Sequence, residues 1–318
     1  MSEKNSNSCS FRTSIGGQAL MEGILMRGPK KQAIVCRTKD GLVEKVEELK
    51  LDKQKHPILG WPFVRGCAIF LDSMVKGMQA LTYSASLLPE EEQEEPDKLD
   101  RWIMDHFPAE KAQKLIIGTA MVLGIALALL LFIFLPTLIV GFIKPLTGSY
   151  LVRNLAEGFS KVVILLLYMS LCTRMKDIQR LFAYHGAEHK TIFCYEHGKE
   201  LTVENVRPES RFHPRCGTSF LLVVIVVSIL VNSVVRLDNS FARMGVHLLL
   251  LPVVVGISYE INRWCGRHDN IVSAFLSAPG KWLQRITTFE PDDGMIECAI
   301  RAMELVIPEE KGSDEWGK

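Results

Sequence analysis

The chain has 318 residues, 48% of them apolar, with 37 basic and 36 acidic side chains and a formal net charge of +1, and its mean hydropathy is +0.15. So even a charge balance supplies no basic field for nucleic acid and points to no partner, while the apolar excess, gathered in a few blocks, excludes an ordinary soluble two-domain protein. The eight cysteines are scattered with no C-x-x-C pair, so they read as reduced thiols of a cytoplasmic setting, with at most one or two recruited as ligands.

Residues 1–10 are polar and lack the apolar core of a signal peptide, so no cleavage or export of this end is expected. Residues 16–29 then interleave four glycines with Glu22 and Arg27. Such a segment lets backbone approach a neighbour closely and makes Glu22 and Arg27 candidate substrate contacts, although a glycine-rich turn packed on the membrane domain is an equal reading. It is no phosphate loop, because the Gly-Lys-Ser/Thr ending is missing. Residues 32–39 and 42–49, joined by Asp40-Gly41, predict a β-hairpin. Residues 62–81 carry an apolar stripe at Val64, Ala68, Leu71, Val75, Met78 and Leu81, which predicts a helix packed on protein or lying on a membrane surface. The acidic run Glu90 to Glu95 reads as a linker, and residues 97–113 as a helix interrupted near Pro108.

Four uncharged blocks follow. Residues 115–143 run for 29 positions, more than the roughly 20 a helix needs to cross a bilayer, so this segment must tilt or bend near Pro136. Residues 216–235 give 20 and residues 244–259 give 16, while residues 162–173 give only 12 and span only if residues 155–160 add turns and Lys161 snorkels. The segment between the second and third spans carries Arg174, Lys176, Arg180, Lys190, Lys199, Arg207, Arg211 and Arg215, against Lys144, Arg153, Lys161, Arg236 and Arg243 in the opposite loops. That bias places residues 174–215 and both termini on the cytoplasmic side of the plasma membrane. Residues 271–286 and 295–307 read as helices separated by Pro291-Asp292-Asp293-Gly294. The expected fold is therefore a mainly α, polytopic membrane protein with about four transmembrane helices and a small cytoplasmic N-terminal region containing a β-hairpin. Its parts are an N-terminal region (1–89), an acidic linker and helix (90–114), a four-helix membrane domain (115–262) with the insert 174–215, and a helical tail (263–318).

The chemistry points to His185-Gly186-Ala187-Glu188-His189. On a helix, residues four apart stand on one face, so both imidazoles can hold one metal ion while Glu188 reaches its water as general base. Two histidines need a third ligand, and three candidates fall at the same membrane face: His213 and Cys216, just before the third span, and Glu260, at the end of the fourth. Glu260 is favoured, as inverted-motif zinc sites commonly use a downstream glutamate. His268 is a candidate for orienting a ligand or substrate, with a solvated loop as the simpler reading, and His197, before Gly198, reads as a helix end.

Gly-Gly-Gln-Ala-Leu-Met-Glu-Gly-Ile-Leu-Met-Arg-Gly-Pro from Gly16, His-Gly-Ala-Glu-His-Lys-Thr from His185, His-Pro-Arg-Cys-Gly-Thr-Ser-Phe from His213, Pro-Gly-Lys-Trp-Leu-Gln-Arg-Ile-Thr-Thr from Pro279 and Glu-Pro-Asp-Asp from Glu290 stand in fixed order. Together they resemble the bacterial YqhQ-like family, a family of unknown function whose members often carry the label of metal-dependent enzymes. The resemblance covers nearly the whole chain and supplies no substrate.

The expected function is a zinc-dependent membrane hydrolase of peptidase type, acting on a protein or peptide at the cytoplasmic face of the bilayer. The alternative is a non-catalytic metal-binding membrane protein serving transport or assembly. Against transport, the blocks contain almost no ionisable residue away from their ends, His247 near the outer end of the fourth span being the one candidate, and a path would call for oligomerisation.

Overall fold

Two tight turns and a connecting loop fold the start of the chain into an antiparallel meander. The computed structural model describes residues 11–49, 61–89, 97–143, 148–237, 239–268, 270–310 and 312–316. Strands β1 (Gly16–Leu20), β2 (Gly23–Arg27), β3 (Lys31–Thr38) and β4 (Gly41–Glu48) pair in sequence order. The expected hairpin is β3–β4, with its turn one residue early: Thr38 pairs with Gly41, Lys39 and Asp40 form the loop, and Gly41 takes the left-handed φ of +121°. The glycine-rich segment is itself a hairpin, β1–β2, turning at Met21-Glu22 with Glu22 at φ +48°. The acidic run Glu90 to Glu95 lies outside the described residues.

The helices are α1 (Val64–Ser86), α2 (Lys98–His106), α3 (Ala109–Leu129), α4 (Leu135–Ile143), α5 (Tyr150–Cys172), α6 (Lys176–Glu196), α7 (Val203–Val206), α8 (Gly217–Asn232), α9 (Ser240–Arg267), α10 (Ile271–Thr287) and α11 (Asp293–Glu304). The break expected at Pro108 separates α2 from α3, and Asp292 caps α11 by accepting from the Met295 N–H. Between α3 and α4, residues Leu130–Phe134 widen into a π turn. Pro136 explains it: its ring would meet the Phe132 carbonyl and it has no N–H to give it, so the ladder opens one turn upstream.

The chain divides into two compact units. The first gathers residues 1–88, 169–224 and 255–318. One face of its sheet, with Ile24, Met26 and Val35, packs on Tyr184 and Ala187 of α6 and on Ile296, Ala299 and Met303 of α11. The other face, with Leu20, Leu25 and Ile34, packs on Ala80 of α1. Segments far apart in the sequence thus share one core.

The second unit comprises residues 89–168 and 225–254. Among the described residues, three helical stretches are long and apolar enough to cross a membrane, Lys111–Phe142, Tyr150–Cys172 and Ser240–Arg267, and a shorter apolar helix covers Phe220–Asn232. The stretch with the shortest uncharged run is therefore a full 23-residue helix, and the 20-residue run at 216–235 forms the short one. Lys161 is buried rather than snorkelling: its Nζ lies 3.0 Å from Glu157, which also faces Arg243 at 2.8 Å and His247 at 3.1 Å. Asn154 accepts from Arg243 and donates to the Asn232 carbonyl at 3.2 Å, so α5, α8 and α9 are joined through one buried polar cluster. Glu157→Leu leaves Lys161 and Arg243 without their counter-charge and is expected to cost about 3–5 kcal/mol. An unchanged thermal midpoint of the detergent-purified variant would show that these helices hold without the cluster.

Candidate functional site

The H-x-x-E-H pentapeptide lies in the buried middle of α6. Gly186 is needed there for packing: a Cβ would run into the Phe289 carbonyl, whose own N–H donates to the Phe182 carbonyl at 2.9 Å. On the same turns His185 and His189 stand with ring centroids 4.3 Å apart. Cys216, immediately ahead of α8, completes a group whose three ligand atoms all lie within 4.8 Å of one another.

Both imidazoles are fixed from behind. His185 Nδ1–H donates to the Thr287 carbonyl at 2.9 Å and His189 Nδ1–H to the Arg211 carbonyl at 2.6 Å. That leaves Nε2 of each ring for the group, and His185 Nε2 is 3.1 Å from Cys216 Sγ. A backbone carbonyl behind each ligating histidine is the outer-shell arrangement that sets tautomer and orientation in metal sites. The His189 Nε2 atom is buried without a hydrogen-bond partner among the described residues, which an ion at the centre of the group would remedy.

The charges agree. Burial would push the Cys216 thiol up, but the adjoining imidazoles of His185 and His189 outweigh it and hold the thiol well below its ordinary value. For His185 burial acts downward, and the sulfur and the Glu188 carboxylate override it to raise the ring to about 9. Glu188 is shifted upward, chiefly by burial, against the downward pull of the two histidines. Its Oε1 accepts the Gly17 N–H at 3.0 Å, whereas Oε2 is buried with no partner among the described residues. A Cβ on Gly17 would press on the Leu25 carbonyl at 2.6 Å and on the Glu188 carboxyl carbon at 3.0 Å, so glycine at this position is what lets β1 reach the carboxylate. A cavity of about 820 Å³ opens on His185, Glu188, His189 and Cys216, with Gly17 and Arg27 also in its wall.

Of the other candidates, His213 lies behind the group, its ring 5.6 Å from that of His189 and its Nε2 3.5 Å from Glu196. Burial, only partly offset by the Glu196 contact, lowers it to about 4, so it is a neutral supporting ring. Glu196 also grips Arg215 and accepts the Thr13 N–H at 2.9 Å, an arrangement with no local signal in the sequence. Glu260 does not join the group, because the Arg65 guanidinium fork engages both of its oxygens, through Nε at 2.6 Å and through Nη2. Glu22 is held by Arg180 at 2.5 Å and by the Tyr184 hydroxyl at 3.2 Å, and Arg27 pairs with Asp72 at 3.0 Å. His268 stacks on Trp264 at 4.6 Å and donates to its carbonyl, on the surface. His197 caps α6, as its place before Gly198 suggests.

The profile of a family described as "Protein of unknown function (DUF1385)" matches residues 61–309. The chain belongs to this family. It is also similar to "Uncharacterized protein YqhQ" of Bacillus subtilis (strain 168), with 33% identity over 316 residues and 94% of each chain covered. No solved structure matches it. The profile begins after the sheet, so the Gly17 contact to Glu188 comes from outside the span that defines DUF1385.

Proposed function

We propose that this DUF1385 member is a zinc-dependent hydrolase of the plasma membrane, of peptidase type, with His185, His189 and Cys216 as ligands and Glu188 as the proton-transfer group. The observation that carries the reading is the meeting of the three ligand atoms within 4.8 Å beside the unpartnered Glu188 oxygen. Three protein ligands, leaving one position open, is the ligand count of catalytic zinc, and a thiolate with two imidazoles suits that ion. Bound there, zinc would supply a Lewis acid that polarises an acyl carbonyl and acidifies water. Cys216 would bring negative charge, and the Thr287 and Arg211 carbonyls would hold both rings in the tautomer that leaves Nε2 free. Glu188, anchored through Oε1 by Gly17, would use Oε2 to take the proton of an attacking water as its oxygen bonds to the carbonyl carbon, and would deliver that proton to the departing amine as the C–N bond breaks. Metal analysis of purified wild type beside a His185→Ala/His189→Ala variant tests the ligand set, and Glu188→Gln tests hydrolysis.

The second reading, a metal-binding transport or assembly protein without catalysis, is favoured by one observation: Glu188 is buried and already tied to backbone. In either reading the site faces the cytoplasm, on the argument of the eight basic residues between 174 and 215. A reporter fused after Arg180 should be cytoplasmic and one placed near Asn239 external, and an external reporter at Arg180 would overturn that orientation.

A further inference from the structure

Helix α1 is amphipathic in the reverse sense for a helix packed on a protein. The residues it turns inward are small, Gly66, Gly77, Ala80 and Ser84, all buried. A Cβ at Gly66 would run into Cβ of Tyr259, and one at Gly77 would have to push aside the Gln18 amide. On the opposite side, one to two turns apart, Val64, Leu71, Met74 and Val75 are exposed, Leu71 at 60% of its surface. A helix that buries its small residues and displays its aliphatic ones has a second apolar neighbour.

Helix α10 repeats the pattern. Ser273, Gly280, Gln284 and Thr287 are buried, whereas Ile271 is 89% and Phe275 76% exposed, with Val272 and Trp282 beside them. It carries no acidic residue, and its two charges, Lys281 and Arg285, are basic.

The placement of both helices identifies that neighbour. α10 begins four positions after α9, a helix long and apolar enough to cross a membrane, ends at Arg267. The start of α1 packs on the second half of α9, with Phe63 against Gly256 and Arg65 paired with Glu260, and Phe70 lies 6.1 Å from Phe220 in the first turn of apolar α8. Apolar faces continuous with a membrane-crossing helix, with cations alongside, fit the boundary between acyl chains and anionic headgroups.

We infer that α1 and α10 are in-plane helices whose exposed apolar faces lie in the cytoplasmic headgroup–acyl boundary of the bilayer. Since Ile69, Ser73 and Gly77 of α1 also line the cavity, α1 is then the wall between lipid and the His185–His189–Cys216 group.

The test uses the full chain in vesicles of phosphatidylcholine and phosphatidylglycerol, with and without bromine on the acyl chains. Leu71→Trp and Phe275→Trp are read one at a time in a background whose native tryptophans are phenylalanine, and Val46→Trp, on exposed β4, is the control. The first two should lose about twofold or more of their emission to bromolipid and resist iodide, and the control should do the reverse. Equal iodide quenching at all three positions would overturn the proposal. Protection from both quenchers would overturn it too, assigning the faces to a second copy or another protein. Should the tryptophan-free background fail to fold, a photoactivatable lipid applied to the wild-type chain gives the same decision: adducts within residues 64–78 and 271–282 support it, and adducts confined to α3, α5, α8 and α9 refute it.

Discussion

Glu188→Gln should keep the metal, the fold and the membrane location while abolishing biological activity. The amide retains an oxygen for the Gly17 N–H, which lies 3.0 Å from Glu188 Oε1, so β1 and α6 stay joined. What it cannot do is accept a proton at the Oε2 position, which has no partner among the described residues. Removing a general base commonly costs about 10² to 10⁴ in rate. The measurement is complementation of a deletion strain at matched protein level, with zinc content determined on the same preparations. Full complementation with intact zinc would move the weight to the non-catalytic reading. Loss of zinc would make Glu188 a ligand and show the assigned roles to be wrong.

His185→Ala/His189→Ala should take the zinc content from close to one per chain to almost none. Both rings are held in place by backbone carbonyls at 2.9 and 2.6 Å, so the free protein already presents its ligands in position. Deleting two of three leaves Cys216 alone, and a single thiolate does not retain zinc through purification. Cys216→Ser should also lose most of the metal, whereas Glu260→Gln should retain it, because Glu260 is engaged by Arg65. Equal metal in wild type and the double-histidine variant would remove the basis for the enzyme.

Much of this architecture is legible in the sequence where the signal is local. The four-residue spacing of His185 and His189, the Asp40-Gly41 turn, the break at Pro108 and the two C-terminal helices all depend on neighbours along the chain. The rest depends on partners far away. Hydropathy brings Cys216 and Glu260 to one face and cannot choose between them, since Arg65, which takes Glu260, lies 195 positions earlier. Using charge to delimit spans fails at α5, where Glu157 and Lys161 stay inside by compensating each other and Arg243. The glycines of residues 16–23 lower strand propensity, so β1 and β2 look like loop; in the fold Gly17 is a strand residue kept bare by the closeness of the Leu25 carbonyl and of Glu188.

The same long separations govern the order in which the molecule can be completed. Gly17 meets Glu188 across 171 positions, the Cys298 thiol meets the Val35 carbonyl across 263, and Thr13 meets Asp314 across 301. The sheet is synthesised early, yet the layer that covers Ile24, Met26 and Val35 consists of α6 and α11, and α11 comes after every apolar helix. Loop closures of this length are slow and reward nothing until both ends are in place. A nascent chain therefore carries its sheet half-covered until every apolar helix has been made, and the last helix to be synthesised closes the core beside Tyr184 and Ala187. Only a chain synthesised to its last helix can hold His185, Glu188 and His189 against a closed core.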